Sequence, residues 1–212
     1  MDQICCIIGA MEPGEIVLPD GALVIAADGG LEHLERRGIV PDLIVGDFDS
    51  LGWAPEGANV IRHPVEKDDT DMMLAVRTGL ERGCRRFLLY GGLGGRLDHA
   101  YANLQTLVWL AEHGAQGWLL GKGMTATVIR NGRLDFAPGH QGTISVFCPN
   151  GEARGVDLAG LYYPLEDATL TSGFPLGVSN QFTGGAASVS VREGTLLVMW
   201  EQAEGTLPEQ IR

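Results

Sequence analysis

The sequence predicts an α/β domain built on a mostly parallel sheet, followed by a smaller all-β domain, a sandwich or flattened barrel. Two features of its patterning lead there. From residue 4 to about residue 123, short apolar runs alternate with amphipathic stretches, the pattern of strand-helix units stacked around a parallel sheet. Beyond about residue 131 the texture changes to short β-prone runs broken by Gly, Pro and Asn, with no amphipathic segment of helix length. The expected domains are therefore residues 1–131 and 132–212.

In the first domain, apolar runs predict strands at residues 4–9, 22–26, 43–45, 59–62, 87–90 and 118–120. Helices are expected at 31–37, 70–82 and 97–113, because Gly38, Gly83 and Gly114 stand where helices stop and Pro41 follows the first. In the third helix Tyr101, Leu104, Val108 and Ala111 share one face, which is predicted to pack on the sheet. The second domain takes strands at 143–148, 155–161, 168–171, 187–191 and 195–200, the last after the turn-like Arg192-Glu193-Gly194. Such a set is too small for two full sheets of ordinary size. No repeat period or low-complexity tract interrupts it.

Composition bounds the function. With 45% hydrophobic residues, 212 residues can bury a core. A net charge of −12, from 15 basic against 27 acidic residues, repels a phosphate backbone and argues against nucleic acid as a partner. It attracts small cations and metal-chelated ligands, although solubility alone accounts for such a charge in many proteins. Cys5, Cys6, Cys84 and Cys148 show no C-x-x-C spacing and read as buried thiols. Met1-Asp2-Gln3 carries no basic charge and the apolar stretch 4–10 is too short for a signal core or a membrane span, so the expected location is cytoplasmic, away from membranes.

Four polar clusters trail the apolar runs: Ala27-Asp28-Gly29-Gly30, Gly46-Asp47-Phe48-Asp49-Ser50, Lys67-Asp68-Asp69-Thr70-Asp71 and Gly94-Gly95-Arg96-Leu97-Asp98-His99. In an α/β sheet these positions fall at strand carboxyl ends, where open sheets bind ligands. Asp47 and Asp49 are two apart, so in extended chain both face the same side and suit one hard divalent cation. An Asx-turn would explain either acid alone. Asp68, Asp69 and Asp71 open a helix, where capping explains one or two of them. Lys67 at that helix start is unfavourable unless it faces an anion such as phosphate. The loop Gly91-Gly92-Leu93-Gly94-Gly95-Arg96, between strand and helix, suits a phosphate, although its spacing fits neither G-x-G-x-x-G nor G-x-x-x-x-G-K-[ST]. Arg96 offers a bidentate grip, and Asp28 stands where it can face a ribose or a metal-bound water, or simply make a turn. The clusters together point to phosphoryl transfer on a magnesium nucleotide.

In this order the motifs resemble the thiamin pyrophosphokinase family. The resemblance runs through A-D-G-G at 27–30, P-D-L-I-V-G-D-F-D-S at 41–50, K-D-D-T-D at 67–71 and G-G-L-G-G-R-L-D-H at 91–99. It continues through G-L-Y-Y-P-L at 160–165 and G-V-S-N at 177–180. Residues 133–142 and the last dozen lie outside it. It implies a Rossmann-like catalytic domain, a thiamin-binding β domain and a homodimer with active sites at the interface. The implied reaction converts thiamin and ATP to thiamin diphosphate and AMP with Mg2+. Carried over by motif, Asp47, Asp49 and Asp71 hold the metal. Asp28, Gly29, Lys67, Asp68, Thr70 and Arg96 bind the nucleotide. Asp71, Asp98 and Arg96 act at the reacting groups, and Tyr163, Ser179 and Asn180 contact thiamin. Tyr163 stands where some relatives place Trp. Two other readings of the residues stay open: a transferase of nucleotide sugars using Asp47 and Asp49, and a sensor that binds ligand without turnover.

Overall fold

The computed structural model describes residues 3–47, 57, 59–62 and 69–208. The chain forms two compact units, Met1–Thr106 with Leu119–Lys122, and Leu107–Trp118 with Gly123–Arg212. Its fold is mixed α/β, with parallel pairing in the first unit and antiparallel pairing in the second. Among the described residues, no helix is long and apolar enough to cross a membrane.

The first unit is organised by strands β1 (Ile4–Ile8), β2 (Leu23–Ala27), β3 (Leu43–Gly46), β4 (Val60–Arg62) and β5 (Arg86–Tyr90). They pair in parallel in the order β4-β3-β2-β1-β5, with β6 (Gln116–Gly121) beside β5. Cys5 to Ile8, Val24 to Ala27, Leu43 to Val45 and Phe87 to Tyr90 are all buried. Such unbroken apolar runs, rather than alternation, are what strands covered on both faces need. Ile8 lies opposite both Ala26 and Tyr90, and Ala27 lies opposite Val45. The carboxyl ends of these strands are therefore neighbours along one edge.

Helices α1 (Gly30–Glu35), α2 (Asp71–Glu81) and α3 (Leu97–Glu112) stand close to their predicted bounds. On α2, Met72, Ala75, Val76 and Gly79 are buried, an i, i+3, i+4, i+7 stripe turned to the sheet. Thr70 caps this helix: its Oγ1 accepts a hydrogen bond from the Met73 amide at 3.2 Å. The face of α3 differs from the prediction. Asn103, Thr106, Leu107 and Leu110 are buried, while Tyr101 is 61% exposed. The stripe chosen by counting apolar residues is rotated because two of the buried positions are polar.

The second unit comprises β7 (Met124–Arg130), β8 (Arg133–Phe136), β9 (Thr143–Phe147), β10 (Glu152–Ala159), β11 (Leu165–Thr171), β12 (Gly177–Gln181), β13 (Ala187–Glu193) and β14 (Thr195–Glu201). These strands pair antiparallel in two sets, β7-β14-β9-β12 and β8-β13-β10-β11. Fully buried Trp200 meets Phe136 edge-on at 5.3 Å, and Phe136 meets Phe182 at 5.0 Å. Three strands, β7, β8 and β12, go beyond the sequence prediction. Thr125 and Thr127 hide β7 from an apolar count, yet both are buried, and the Thr127 hydroxyl donates to the Gly117 carbonyl at 2.6 Å. In β12 Ser179 and Asn180 interrupt the apolar pattern.

Thr70→Ala leaves one helix-start amide without its side-chain acceptor. It is expected to cost about 1 kcal/mol of stability, read as a lower urea midpoint at unchanged slope.

Candidate active site

Asp28 is the first residue after β2 and is held by the neighbouring strand, its amide donating to the Val45 carbonyl at 2.8 Å. Its φ of 46° lies in the left-handed region, which turns the chain sharply from strand into α1. The next strand makes room for it. A Cβ on Gly46 would stand 3.2 Å from the Asp28 Cα, tighter than ordinary packing allows. Asp47 follows Gly46 at the end of β3, and Asp71 opens α2 just after its cap.

These three segments bring one oxygen from each of Asp28, Asp47 and Asp71 within 4.8 Å of one another. Asp28 is buried and the other two are half-buried. Three carboxylates in partial shelter from water repel unless a cation is shared among them. An all-oxygen donor set of this charge suits a hard divalent ion and leaves positions for water and phosphate. The residues therefore fit magnesium. Asp28 stands in this group with Asp47 and Asp71, having been expected at a ribose, a phosphate or a metal-bound water. Asp49, Lys67 and Asp68 lie outside the described residues.

A cavity of about 170 Å³ adjoins the cluster. Asp28, Thr70 and Asp71 line it together with Met11, His99 and Asn103. Of the two residues from the first turns of α3, the sequence places His99 in the fourth polar cluster without a role, and Asn103 stands outside every motif. Asn103 is 5% exposed and donates from Nδ2 to the Gly92 carbonyl at 2.8 Å, tying α3 to the glycine-rich loop. Its signal was available: it shares a helical stripe with Leu107 and Leu110, and a polar residue on a buried stripe has something to hold. Gly29 precedes α1 as its N-cap without a side-chain bond, and its carbonyl accepts from the Glu32 amide at 3.3 Å.

Arg96 and Asp98 are exposed and paired with each other. Arg96 donates through two nitrogens to the two Asp98 oxygens, at 2.6 and 3.2 Å, and Asp98 also accepts from the His99 amide at 3.0 Å. Hydrogen bonding from Arg96 holds the Asp98 carboxyl down at about 2. An acid so weakly basic is unsuited to taking a proton near neutrality. Asp98 thus orients the guanidinium of Arg96.

In the second unit, Tyr163 is 61% exposed and meets Tyr162 edge-on at 4.8 Å. Asn180 is 3% exposed, and its amide is spent on the main chain beside Tyr163. Its Oδ1 accepts from the amides of Tyr163 and Gln181, both at 2.9 Å, while its Nδ2 donates to the Tyr163 carbonyl at 2.7 Å. Ser179 is exposed with φ of 57°, and its amide donates to the Ser145 hydroxyl at 3.0 Å. Asn180 thus holds Tyr163 rather than reaching into solvent. The four cysteines are buried free thiols. Burial pushes Cys6 up to about 12 and raises Cys5 as well, so neither is a ready nucleophile.

Residues 17–119 match the family model of the thiamin pyrophosphokinase catalytic domain, and residues 133–196 match that of its vitamin B1 binding domain. The chain is 29% identical to a thiamine pyrophosphokinase of Bacillus subtilis over 184 residues, covering 84% of this chain and 86% of the relative. It is 26% identical over 175 residues to thiamin pyrophosphokinase 1 of Caenorhabditis elegans, covering 75% and 71%. Solved structures share the fold: that of the Bacillus subtilis enzyme superposes with a TM-score of 0.80 at 24% identity, covering 95% of this chain and all of that one. That of the Candida albicans enzyme gives 0.76 at 15% identity, covering 95% and 90%. With both family domains matched in order along most of its length, the chain belongs to the thiamin pyrophosphokinase family.

Proposed function

We infer that this protein transfers the pyrophosphoryl group of ATP to the hydroxyl of thiamin, giving thiamin diphosphate and AMP. The observation that carries the reading is the convergence of Asp28, Asp47 and Asp71 at the carboxyl edge of a parallel sheet, on the catalytic part of a chain from this family. These acids are the residues that would hold Mg2+, which supplies charge neutralisation at the polyphosphate when bound. The hydroxyl oxygen bonds to the β-phosphorus of ATP as the bond from that phosphorus to the α,β-bridging oxygen breaks. AMP leaves with that oxygen, and the hydroxyl proton is released. Such a transfer asks the protein mainly for positioning and charge. Arg96, oriented by Asp98, is free to turn its fork toward a phosphate because the pair is exposed. Asp71 is the acid proposed to orient the hydroxyl. Thr70 and Gly29 belong to the nucleotide side through their place beside Asp71 and Asp28, where Lys67 and Asp68 are retained on motif alone, as Asp49 is beside the metal.

Within this reading the first unit serves as a Rossmann-like nucleotide domain, and the second as a β-sandwich for thiamin. Tyr163 offers a ring to the thiazolium or pyrimidine, with Ser179 beside it and Asn180 fixing its main chain. Tyr162, Tyr163, Phe174, Leu176 and Val178 are all about half exposed or more, a set of apolar side chains that supports a homodimer. Four buried free thiols support a reducing, cytoplasmic setting.

Incubation with ATP, magnesium and thiamin, followed by chromatography, is expected to yield AMP and thiamin diphosphate in equal amounts, both lost on chelation. ADP with thiamin monophosphate would overturn the pyrophosphoryl assignment. Consumption of ATP without dependence on thiamin would overturn the substrate.

Asp28→Asn, Asp47→Asn and Asp71→Asn are each expected to lower kcat/KM about a hundredfold or more while the fold is kept. Wild-type turnover in all three would remove the metal assignment. Asp98→Asn tests a different role. With its carboxyl held down near 2, Asp98 stays ionised at every pH above about 4, so it cannot produce a limb of the pH-rate profile there. The variant should turn over more slowly with the profile's shape unchanged, and disappearance of the acidic limb would restore Asp98 as the base. Any stabilisation from its pairing with Arg96 is present above the ordinary carboxylate range and lost as the pH falls through about 2.

Tyr163→Ala should mainly raise the KM for thiamin with that for ATP unchanged. Asn180→Ala should show the same selectivity at a smaller magnitude, since it loosens the ring's mount without removing the ring. Equal rises for both substrates would argue against the thiamin role of this corner.

A further inference from the structure

The cavity beside the carboxylate cluster has one polar wall that packing accounts for only in half. Asn103, on α3, is 5% exposed and lines that cavity together with Asp28 and Asp71. The two ends of its amide have different fates. Nδ2 donates to the Gly92 carbonyl at 2.8 Å, and because a carbonyl can only accept, the amide is fixed with its nitrogen toward the glycine-rich loop. Gly92 allows this approach: a Cβ there would stand 3.0 Å from Nδ2 and 2.6 Å from Leu119 Cδ1.

Oδ1 is the other end. It accepts no hydrogen bond among the described residues and keeps open surface on the cavity side. Tying down Gly92 uses the nitrogen alone, so the oxygen is left over. On a side chain this buried, an acceptor without a donor is unfavourable until something in the cavity supplies one.

The remaining walls decide what that something is. Asp28 and Asp71 bring carboxylates, and among the described residues that line the cavity there is no Lys or Arg. A phosphate oxygen has no hydrogen to give Oδ1 and would be repelled by the acids. A hydrated divalent cation satisfies both demands. The carboxylates take its charge, and the waters it retains point their hydrogens outward to neutral acceptors. A volume of about 170 Å³ leaves room for an ion with several waters.

We propose that Asn103 is a positioning residue of the metal site, its Oδ1 accepting a hydrogen bond from the hydration shell of the divalent cation held by Asp28, Asp47 and Asp71. The proposal rests on the assignment of those acids to a cation and deepens it. One rigid amide links the hydration shell to the Gly92 carbonyl, so the ion is oriented relative to the loop that carries Arg96.

Mn2+ is the probe, an ion that takes the same oxygen donors as magnesium. It is titrated into the full chain without nucleotide, and the free ion is counted by electron paramagnetic resonance. Asn103→Leu has nearly the same shape and removes both ends of the amide. Asn103→Asp removes the donor to Gly92 but keeps an oxygen toward the cavity. Asn103→Leu is expected to weaken Mn2+ about tenfold or more, as loss of an outer partner of a metal site does. Asn103→Asp is expected to bind Mn2+ at least as tightly as the unaltered chain. Equal weakening in both variants would overturn the proposal, because it would trace the effect to the tie with Gly92. An unchanged Mn2+ affinity in Asn103→Leu would overturn it too, and a raised KM for ATP in the same variant would then assign Oδ1 to the nucleotide. Asp71→Asn separates this outcome from failure of the cluster itself. If Asp71→Asn loses Mn2+ while Asn103→Leu keeps it, the acids hold the ion without Asn103; if Asp71→Asn also keeps it, the cation assignment falls and the proposal with it. Should Asn103→Leu fail to melt cooperatively, Asn103→Asp decides alone, with weaker binding than the unaltered chain counting against Asn103.

Discussion

Everything at the candidate active site depends on one constraint: parallel strands end side by side. Because Ala27 pairs opposite Val45, the residues that leave β2 and β3 emerge as neighbours, and here both carry acids. Asp28 and Asp47 are thus brought together by the main-chain ladder, before any side-chain attraction acts. A ladder of backbone hydrogen bonds between fully buried strands is stiff enough to hold like charges that would drift apart on a loop. The third acid arrives on α2, whose start is set by the Thr70 cap and whose buried stripe presses on the same strands. The proximity of like charges is therefore built in by packing.

The two units meet their polar demands differently. In the first, glycine and close backbone approach make the room, as Gly46 does for Asp28. In the second, short polar side chains bridge backbone groups: Asn180 clasps the main chain of Tyr163, the Asn131 Oδ1 accepts the Gly194 amide at 2.8 Å, and Ser145 receives that of Ser179. Turns and irregular stretches between antiparallel strands leave amides without a ladder partner, and these side chains supply the missing acceptors.

This difference explains what was legible in the sequence. The parallel strands and all three helices could be read because burial on both faces demands unbroken apolar runs, and because glycines mark the helix ends. The sequence singled out Asp28, Asp47 and Asp71, which the fold brings together, but it grouped Asp47 and Asp71 with Asp49 and set Asp28 apart, since spacing cannot show which strand ends are neighbours. Much of what escaped, though not β8, did so where polar residues stand in or beside buried places. Thr125 and Thr127 concealed β7, Ser179 and Asn180 concealed β12, and Asn103 and Thr106 turned the apparent face of α3. A scale that counts apolar residues treats each as surface, whereas the fold buries most of them against a specific partner. Asn180 was named by motif, and its hydrogen bonds to backbone could not be read from the sequence.

Backbone strain separates residues kept for chemistry from those kept for shape. Four non-glycine residues adopt positive φ among the described residues: Asp28, Asn131, Asp167 and Ser179. Glycine would take that conformation at less cost, so each side chain needs a reason to be there. For Asn131 the reason is local, since its side chain receives the Gly194 amide. Asp167 accepts Arg192 at 2.8 Å, an exposed pairing that adds little stability but is local as well. Asp28 is different in kind. Its carboxylate is buried and lies close to two others of the same sign. Asp28 thus combines a left-handed backbone with like-charge proximity, at a point where a glycine would avoid both.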